Sequence, residues 1–256
     1  MRLLRLLIVP LAWVASAAQL SPPSFPKVVG GFEAPPVFPY MASLQRRYNG
    51  RYRHICGASL VHVSWLVTAG HCVDRGFRYR VVLSRYNLKR KSKYEMVRSV
   101  RSVHLHPRFT GTSRNDIAML RINSIWLNRQ ISPNVHETFH AGARMVAIGW
   151  GYKKEYSGIL SNKLMQVNLP LVSREDCAKA YPGIDMTTKV CAGYADGGKD
   201  TCSGDSGGPL LSNATVPVLV GITSYGKGCA RPGYFGVYTR VSAYTDWIRS
   251  VIDEMS

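Results

Sequence analysis

The chain has 256 residues, 46% of them apolar, enough for a sizeable core in one large unit or two small ones. With 23 glycines and 14 prolines, turns are plentiful and long helices are excluded as the main architecture. The 33 Lys and Arg outnumber the 15 Asp and Glu for a formal net charge of +18, yet no recognised nucleic-acid fold accompanies that charge.

Met1-Arg2 and Arg5 make a positive start, Leu3 to Val14 is an apolar run broken by Arg5 and Pro10, and Ala15-Ser16-Ala17-Ala18 offers small residues for cleavage. This reads as a secretory signal peptide over residues 1–18, and hence as a secreted, extracellular protein. The run falls short of the ~20 apolar residues of a membrane span, and no later segment reaches that length. Export implies an oxidising compartment, which suits the six cysteines; they can pair in many ways, and the sequence does not choose among them. No tight Cys-x-x-Cys spacing with histidine appears, so no metal site and no cofactor are expected.

Residues 19–27 are rich in proline and serine and should be extended and exposed. From Val37 onward the pattern is one of short strands. Arg53–Val61, Trp65–Ala69, Arg78–Leu83, Tyr94–Val103 and Ile117–Ile122 are candidates in the first half. Arg144–Ile148, Leu164–Leu169, Lys189–Ala192, Pro209–Leu211, Val216–Thr223 and Gly236–Val241 follow in the second. Many short strands between glycine-rich turns predict an all-β sandwich or barrel, and alternation alone does not separate the two. The end changes period. Tyr244, Trp247, Ile248, Val251 and Ile252 are spaced three and four apart behind Ser242, a fair N-cap, which predicts an amphipathic helix over 242–254 with its aromatics in the core.

Three stretches carry chemistry. Gly204-Asp205-Ser206-Gly207-Gly208-Pro209 surrounds one serine with small residues, a poor way to fill a core and a good way to hold a nucleophile against backbone N–H groups. A serine needs a base, and the base needs an orienter. His71 in Thr68-Ala69-Gly70-His71-Cys72 and Asp116 in Asn115-Asp116-Ile117-Ala118-Met119-Leu120 supply both, in the chain order His, Asp, Ser.

These motifs, in this order, resemble the trypsin/chymotrypsin family of serine endopeptidases, and the likeness runs from Val28 to about Ile252. It implies two six-stranded antiparallel β-barrels, about 28–125 and about 130–241, with a C-terminal α-helix and the active site in the cleft between the barrels. It also implies that Ser206 is the nucleophile, His71 the general base and acid, and Asp116 the residue that holds the His71 tautomer. The Gly204 and Ser206 amides would form the oxyanion hole. Asp200 matches the floor of the specificity pocket in members that cut after Arg or Lys, with Ser224, Gly226 and Gly236 on its walls. Cleavage after Lys27 would free the Val28 ammonium to pair with Asp205, and His54 matches a position that partners the same aspartate in an uncut precursor. The disulfides implied are Cys56–Cys72, Cys177–Cys191 and Cys202–Cys229. The partners implied are substrates with Arg or Lys at the cut site, an activating protease and protein inhibitors, with a monomer as the default.

Several positions depart from the pattern. Tyr225 stands where a tryptophan is usual, and Phe235 where a proline is usual, with an expected effect on the pocket's back wall. Lys199 lies beside Asp200 and could in principle neutralise it. One family disulfide is absent, its two positions being Met145 and Ser212. The stretch that matches a calcium loop, Ser84–Glu95, carries one carboxylate and five basic residues, so a Lys or Arg charge is expected in place of a hard cation. Arg75–Arg108 holds eleven Lys or Arg and one acid, with a second cluster at Arg46, Arg47, Arg51 and Arg53, which points to a polyanion as a partner. Asn213-Ala214-Thr215 is a glycan acceptor sequon. The competing functional reading is a weakly catalytic or non-catalytic polyanion-binding protein on a protease scaffold.

Overall fold

The computed structural model describes residues 29–36, 38–111, 113–125, 130–134 and 139–254. The signal segment, the 19–27 piece, Lys27 and Val28 lie outside the described residues.

The first half of the chain forms strands β1 (Phe32–Glu33), β2 (Met41–Tyr48), β3 (Arg51–His62), β4 (Trp65–Thr68), β5 (Tyr79–Leu83), β6 (Met96–Ser99), β7 (Ser102–Leu105) and β8 (Ala118–Arg121). β2 and β3 meet at Asn49-Gly50, both with positive φ (44° and 80°), which gives the turn a twist that matches a two-residue hairpin. Seven of these strands run in the order β6-β5-β2-β3-β4-β8-β7. The expected strand 94–103 is one bent segment, split at Val100-Arg101, and that split closes the sheet. Val100 donates to the Tyr79 carbonyl on one edge, and Arg101 to the Arg121 carbonyl on the other. Counting the bent segment once, the barrel has six strands.

The second half contributes β9 (Ser132–Pro133), β10 (Arg144–Gly149), β11 (Met165–Pro170), α1 (Arg174–Ala180), β12 (Lys189–Ala192), β13 (Pro209–Ser212), β14 (Val218–Tyr225), β15 (Gly236–Arg240) and α2 (Thr245–Glu254). Its ring runs β11-β10-β13-β14-β15-β12 and closes where Val172 donates to the Cys191 carbonyl and Gly193 to the Pro170 carbonyl. β1 and β9 are added at its margins, and β1 ties the start of the described chain to β11 of the second barrel. The double antiparallel barrel with a terminal helix is therefore the observed fold, as the resemblance implied.

Apolar residues of both halves share one continuous core, with Leu44, Leu60, Leu66 and Leu120 of the first barrel in the same cluster as Ile148, Leu211 and Ile222 of the second. Full burial of each such side chain contributes ~1.5–3 kcal/mol, so the two barrels are fastened face to face. α2 belongs to the second half by sequence and packs on the first. Tyr244, Ile248 and Val251 are buried, His106 makes edge contacts with Tyr244 and Trp247, and the Tyr244 hydroxyl donates to Asn115 Oδ1 at 3.1 Å. The helix starts three residues later than the periodicity predicts, because Val241–Ala243 make a 3-10 turn that ends at Tyr244 (φ −128°). α1 was not anticipated. Ser173 caps it by accepting from the Asp176 amide at 3.0 Å, a Ser-x-x-Asp signal present in the sequence.

Candidate active site

His71 lies in a short 3-10 turn directly after β4, and Asp116 lies directly before Ile117 and β8, which pairs with β4. The pairing brings the two residues together. His71 Nδ1 is 2.9 Å from Asp116 Oδ2, and the His71 amide donates to Oδ1 at 2.9 Å. A third donor comes from the other barrel. In the pairing of β14 with β15, Thr223 faces Tyr238 and Tyr225 faces Val237, leaving Ser224 as the extra residue of a bulge. The Ser224 hydroxyl donates to Asp116 Oδ2 at 2.5 Å. Burial on its own would push the Asp116 carboxyl up, but the hydrogen bonds from His71 and Ser224 outweigh it and hold the group below the ordinary range. Nδ1–H of His71 thus faces a carboxylate, which leaves Nε2 as the basic nitrogen of the neutral ring.

The Ser206 loop abuts the segment that leads to His71. Gly207 (φ 74°) packs against Thr68 Oγ1 and the Gly57 carbonyl so closely that a Cβ has no room, and Gly57 donates to the Ser206 carbonyl at 2.8 Å. The amides of Asp205, Gly207 and Gly208 are all taken by carbonyls of Cys202, Thr223 and Asp205. Among the described residues no hydrogen bond engages the amides of Gly204 and Ser206. Two free donors on either side of Asp205 are what a developing oxyanion needs. Asp205 itself is 1% exposed and accepts from the Gly151 amide at 2.7 Å and the Cys202 amide at 2.9 Å; burial pushes its carboxyl up to about 6. His54 does not meet Asp205. Its Nε2–H donates to the Gly204 carbonyl at 3.1 Å while Nδ1 accepts from Ser43 at 2.9 Å. Burial lowers this histidine to about 4, so the ring is neutral.

Beside Ser206 opens a cavity of about 360 Å³ whose lining includes Asp200, Ser206, Ser224, Gly226 and Gly236. Asp200 is a buried carboxylate of that lining and accepts from the Thr201 amide at 2.8 Å and the Ala230 amide at 3.0 Å. Burial pushes it up to about 7 despite these bonds. A Cβ at Gly236 would sit 2.8 Å from Asp200 Oδ1 and 2.9 Å from the Tyr238 hydroxyl, so only glycine leaves room there. Lys199 leaves Asp200 alone; its ammonium lies over the Tyr194 ring, 5.4 Å from the centroid. Phe235 is absent from the lining. It packs with the Cys177–Cys191 bridge and Val237, and its carbonyl accepts from the Tyr181 hydroxyl at 2.6 Å.

All three expected disulfides are formed. One group of possible ligand atoms stands close together among the described residues, Cys56, His71 and Cys72, but both sulfurs are in the disulfide and offer no thiolate. Met145 and Ser212 face each other across β10 and β13, as the two ends of a lost bridge should. In the Ser84–Glu95 loop the Arg85 guanidinium donates to the carbonyls of Asn87 (3.2 Å) and Leu88 (2.8 Å) and pairs with Glu95 at 3.6 Å. Asn213 is exposed in the turn between β13 and β14.

The model of the trypsin family matches residues 28–248. The chain belongs to the trypsin family. It is 37% identical to trypsin II-P29 of Gallus gallus over 88% of this chain and 89% of that protein. It is 38% identical to trypsin-1 of Salmo salar over 88% and 91%, and 36% identical to trypsin-1 of Astacus astacus over 87% and 99%. As a trypsin-family member the chain is a serine endopeptidase that hydrolyses peptide bonds. Among the described residues no helix is long and apolar enough to cross a membrane.

Sequence reasoning missed four residues that shape this site. Thr201 and Tyr238 join hydroxyls beside Asp200 at 3.1 Å, and Lys189 and Thr239 stand behind Ser224. The one available signal was Lys189 itself, a charge heading the apolar strand Val190-Cys191-Ala192.

Proposed function

We propose that the chain cuts peptide bonds after Arg or Lys, once cleavage after Lys27 has freed the Val28 amine. The observation that carries this reading is the buried Asp200 carboxylate in the lining of a cavity that Ser206 also lines. A guanidinium or ammonium entering there gains a charge-assisted partner that an apolar side chain lacks. Ser206 attacks the scissile carbonyl while His71 takes its proton and later returns it to the leaving amine. Asp116 orients the imidazole and stabilises the imidazolium. The Gly204 and Ser206 amides donate to the oxyanion, and losing one such donor costs ~3 kcal/mol of transition-state stabilisation.

The activation reading is supported by the docking of the neighbouring residue. The Val29 carbonyl accepts from the Asp200 amide at 3.1 Å, which puts the segment after Lys27 against the pocket loop. The Val28 ammonium would then partner Asp205, a buried carboxylate with two amide donors and, among the described residues, no ion-pair partner. In this reading residues 1–18 direct secretion, 19–27 are removed by an activating protease, and the mature monomer carries barrels of about 28–125 and 130–241. Protein inhibitors of the family would bind the same cleft, and Asn213 would accept a glycan. Polyanion binding is favoured by strand pairing that joins the two basic clusters. Arg46 lies opposite Arg53 on β3 and Tyr79 on β5, next to Arg80.

The test is hydrolysis of matched peptides ending in Arg, Lys, Phe or Ala by protein cut at Lys27, beside uncut protein and a Ser206→Ala control. Turnover with Arg and Lys, absent from both controls, is the expected result. No turnover from correctly cut, folded protein would overturn the reading and favour a polyanion-binding scaffold.

A further inference from the structure

Two hydroxyls join Asp116 to a buried lysine. Lys189, the first residue of β12, is 3% exposed. Its ammonium donates to Ser224 Oγ at 3.0 Å and to Thr239 Oγ1 at 3.0 Å. Each acceptor in turn donates a hydrogen bond to Asp116. Ser224 Oγ donates to the carboxylate at 2.5 Å, and Thr239 Oγ1 donates to the backbone carbonyl at 2.9 Å. An ammonium has three donors and no acceptor, and a hydroxyl has one proton to give. While Lys189 is charged, both hydroxyls must accept from it, and their protons are directed at Asp116. A neutral amine carries a lone pair and removes that constraint.

Asp116 and Asp185 are the carboxylates that favour the ammonium's charge. Asp185 also accepts the Lys189 amide on its backbone carbonyl, and the Arg240 guanidinium donates to the Lys189 carbonyl at 3.0 Å. The Tyr225 ring lies 5.6 Å away. Arg114 and Tyr181 line the same cavity of about 310 Å³, with Arg114 acting on Asp185. The Tyr244 phenol lies in the field of Asp185 and Asp116. Burial pushes the Lys189 amine down to about 8, against the pull of the two carboxylates. The group is therefore cationic at neutral pH and discharges under mildly alkaline conditions.

We propose that Lys189 is a positioning residue for the His71–Asp116 couple: through the Ser224 and Thr239 hydroxyls its ammonium directs the protons at Asp116 and limits the negative charge the carboxylate presents to His71. The proposal rests on the triad reading given above. A positive charge at this place opposes protonation of His71, so the acid limb of kcat/KM lies at lower pH with it than without it.

The experiment has two arms. The first is the pH profile of kcat/KM on an Arg peptide for the cut enzyme and for Lys189→Met, an apolar side chain of similar length. The second follows by proton NMR the hydrogen between His71 Nδ1 and Asp116 across pH 5 to about 9.5, in both proteins on a Ser206→Ala background. In Lys189→Met the acid limb should move up by about one pH unit, the scale of a charge acting across two hydrogen bonds in a buried site. In the parent protein the NMR resonance should shift again near pH 8, and that second shift should vanish in the variant. Either an acid limb that stays in place or a parent resonance that is flat through pH 8 would overturn the proposal and leave Lys189 a packing residue. The NMR arm needs no turnover, so a failure of the protease reading is told apart from a failure of this one. It also needs no folded variant, because the parent resonance alone decides.

Discussion

Asp116 and Asp200 are both buried carboxylates within one site, and they stand in opposite electrostatic conditions. Asp116 accepts from two groups of His71 and from Ser224, with Lys189 behind, and its carboxyl is held low. Asp200 accepts from two amides, has no ion-pair partner among the described residues, and is pushed up to about 7. The difference lies in who supplies the partner. The chain itself completes the first carboxylate, so the catalytic corner is preorganised. The second has no such donor set; on the proposed reading a substrate side chain would complete it, and its unfavourable burial would become binding selectivity. Glu95 belongs to the first kind, since Arg85 provides its cation from within the same loop.

The sharpest way to break this comparison is Asp116→Asn. It keeps the shape but reverses the hydrogen bonding to His71, and kcat should fall by about 10⁴-fold with little change in thermal stability. Equal loss of kcat and of folding would mean that Asp116 is structural first. Asp200→Ser comes next. Arg and Lys peptides should lose about 10³-fold in kcat/KM while Phe peptides change little, as competitive hydrolysis of the mixture would reveal. A uniform loss across substrates would move specificity away from Asp200. Arg85→Ala leaves Glu95 buried without its cation and should cost about 3 kcal/mol in denaturant unfolding. Adding a chelator to the parent protein should not move its Tm.

The smallest effect tests the pH logic. Because Asp200 titrates at about 7 in the folded chain against an ordinary 3.8, the folded state holds its proton more tightly between those values. The favourable contribution of that proton is full below about pH 4 and is lost as pH rises through about 7. A small guanidinium compound that occupies the pocket restores a partner to the ionised form. Its stabilisation of Tm should therefore be a few degrees larger at pH 8 than at pH 5. Equal shifts at both pH values would show that the pocket carboxylate is not the group engaged.

Much of this was legible from residues alone. His71, Asp116 and Ser206 each sit in a short local motif, so the chemistry is written in contiguous stretches. Most strands fell within two residues of expectation because alternation and turn residues are local signals. The misses have tertiary causes. The segment 94–103 bends where two sheet edges meet, and Val216, read as the start of a strand, is exposed before β14 begins. Phe235, which stands where the resembled family usually has a proline, bears on the back wall in sequence terms, yet its ring is buried with Cys177, Cys191 and Val237 just before β15 begins.

The sequence by itself determined the all-β character and the basic surface, because these depend on residue type and short-range spacing, and its three motifs in the order His, Asp, Ser carried the family resemblance that implied the reaction class. Only the tertiary structure decided how the carboxylates are partnered. Ser224 reaches Asp116 from a bulge 108 residues away, Lys189 on β12 reaches the Ser224 hydroxyl, and the Ala230 amide comes to Asp200 beside the Cys202–Cys229 bridge. Those contacts join groups that are remote along the chain, and hydrogen-bond direction and burial exist only once the two barrels have closed on each other.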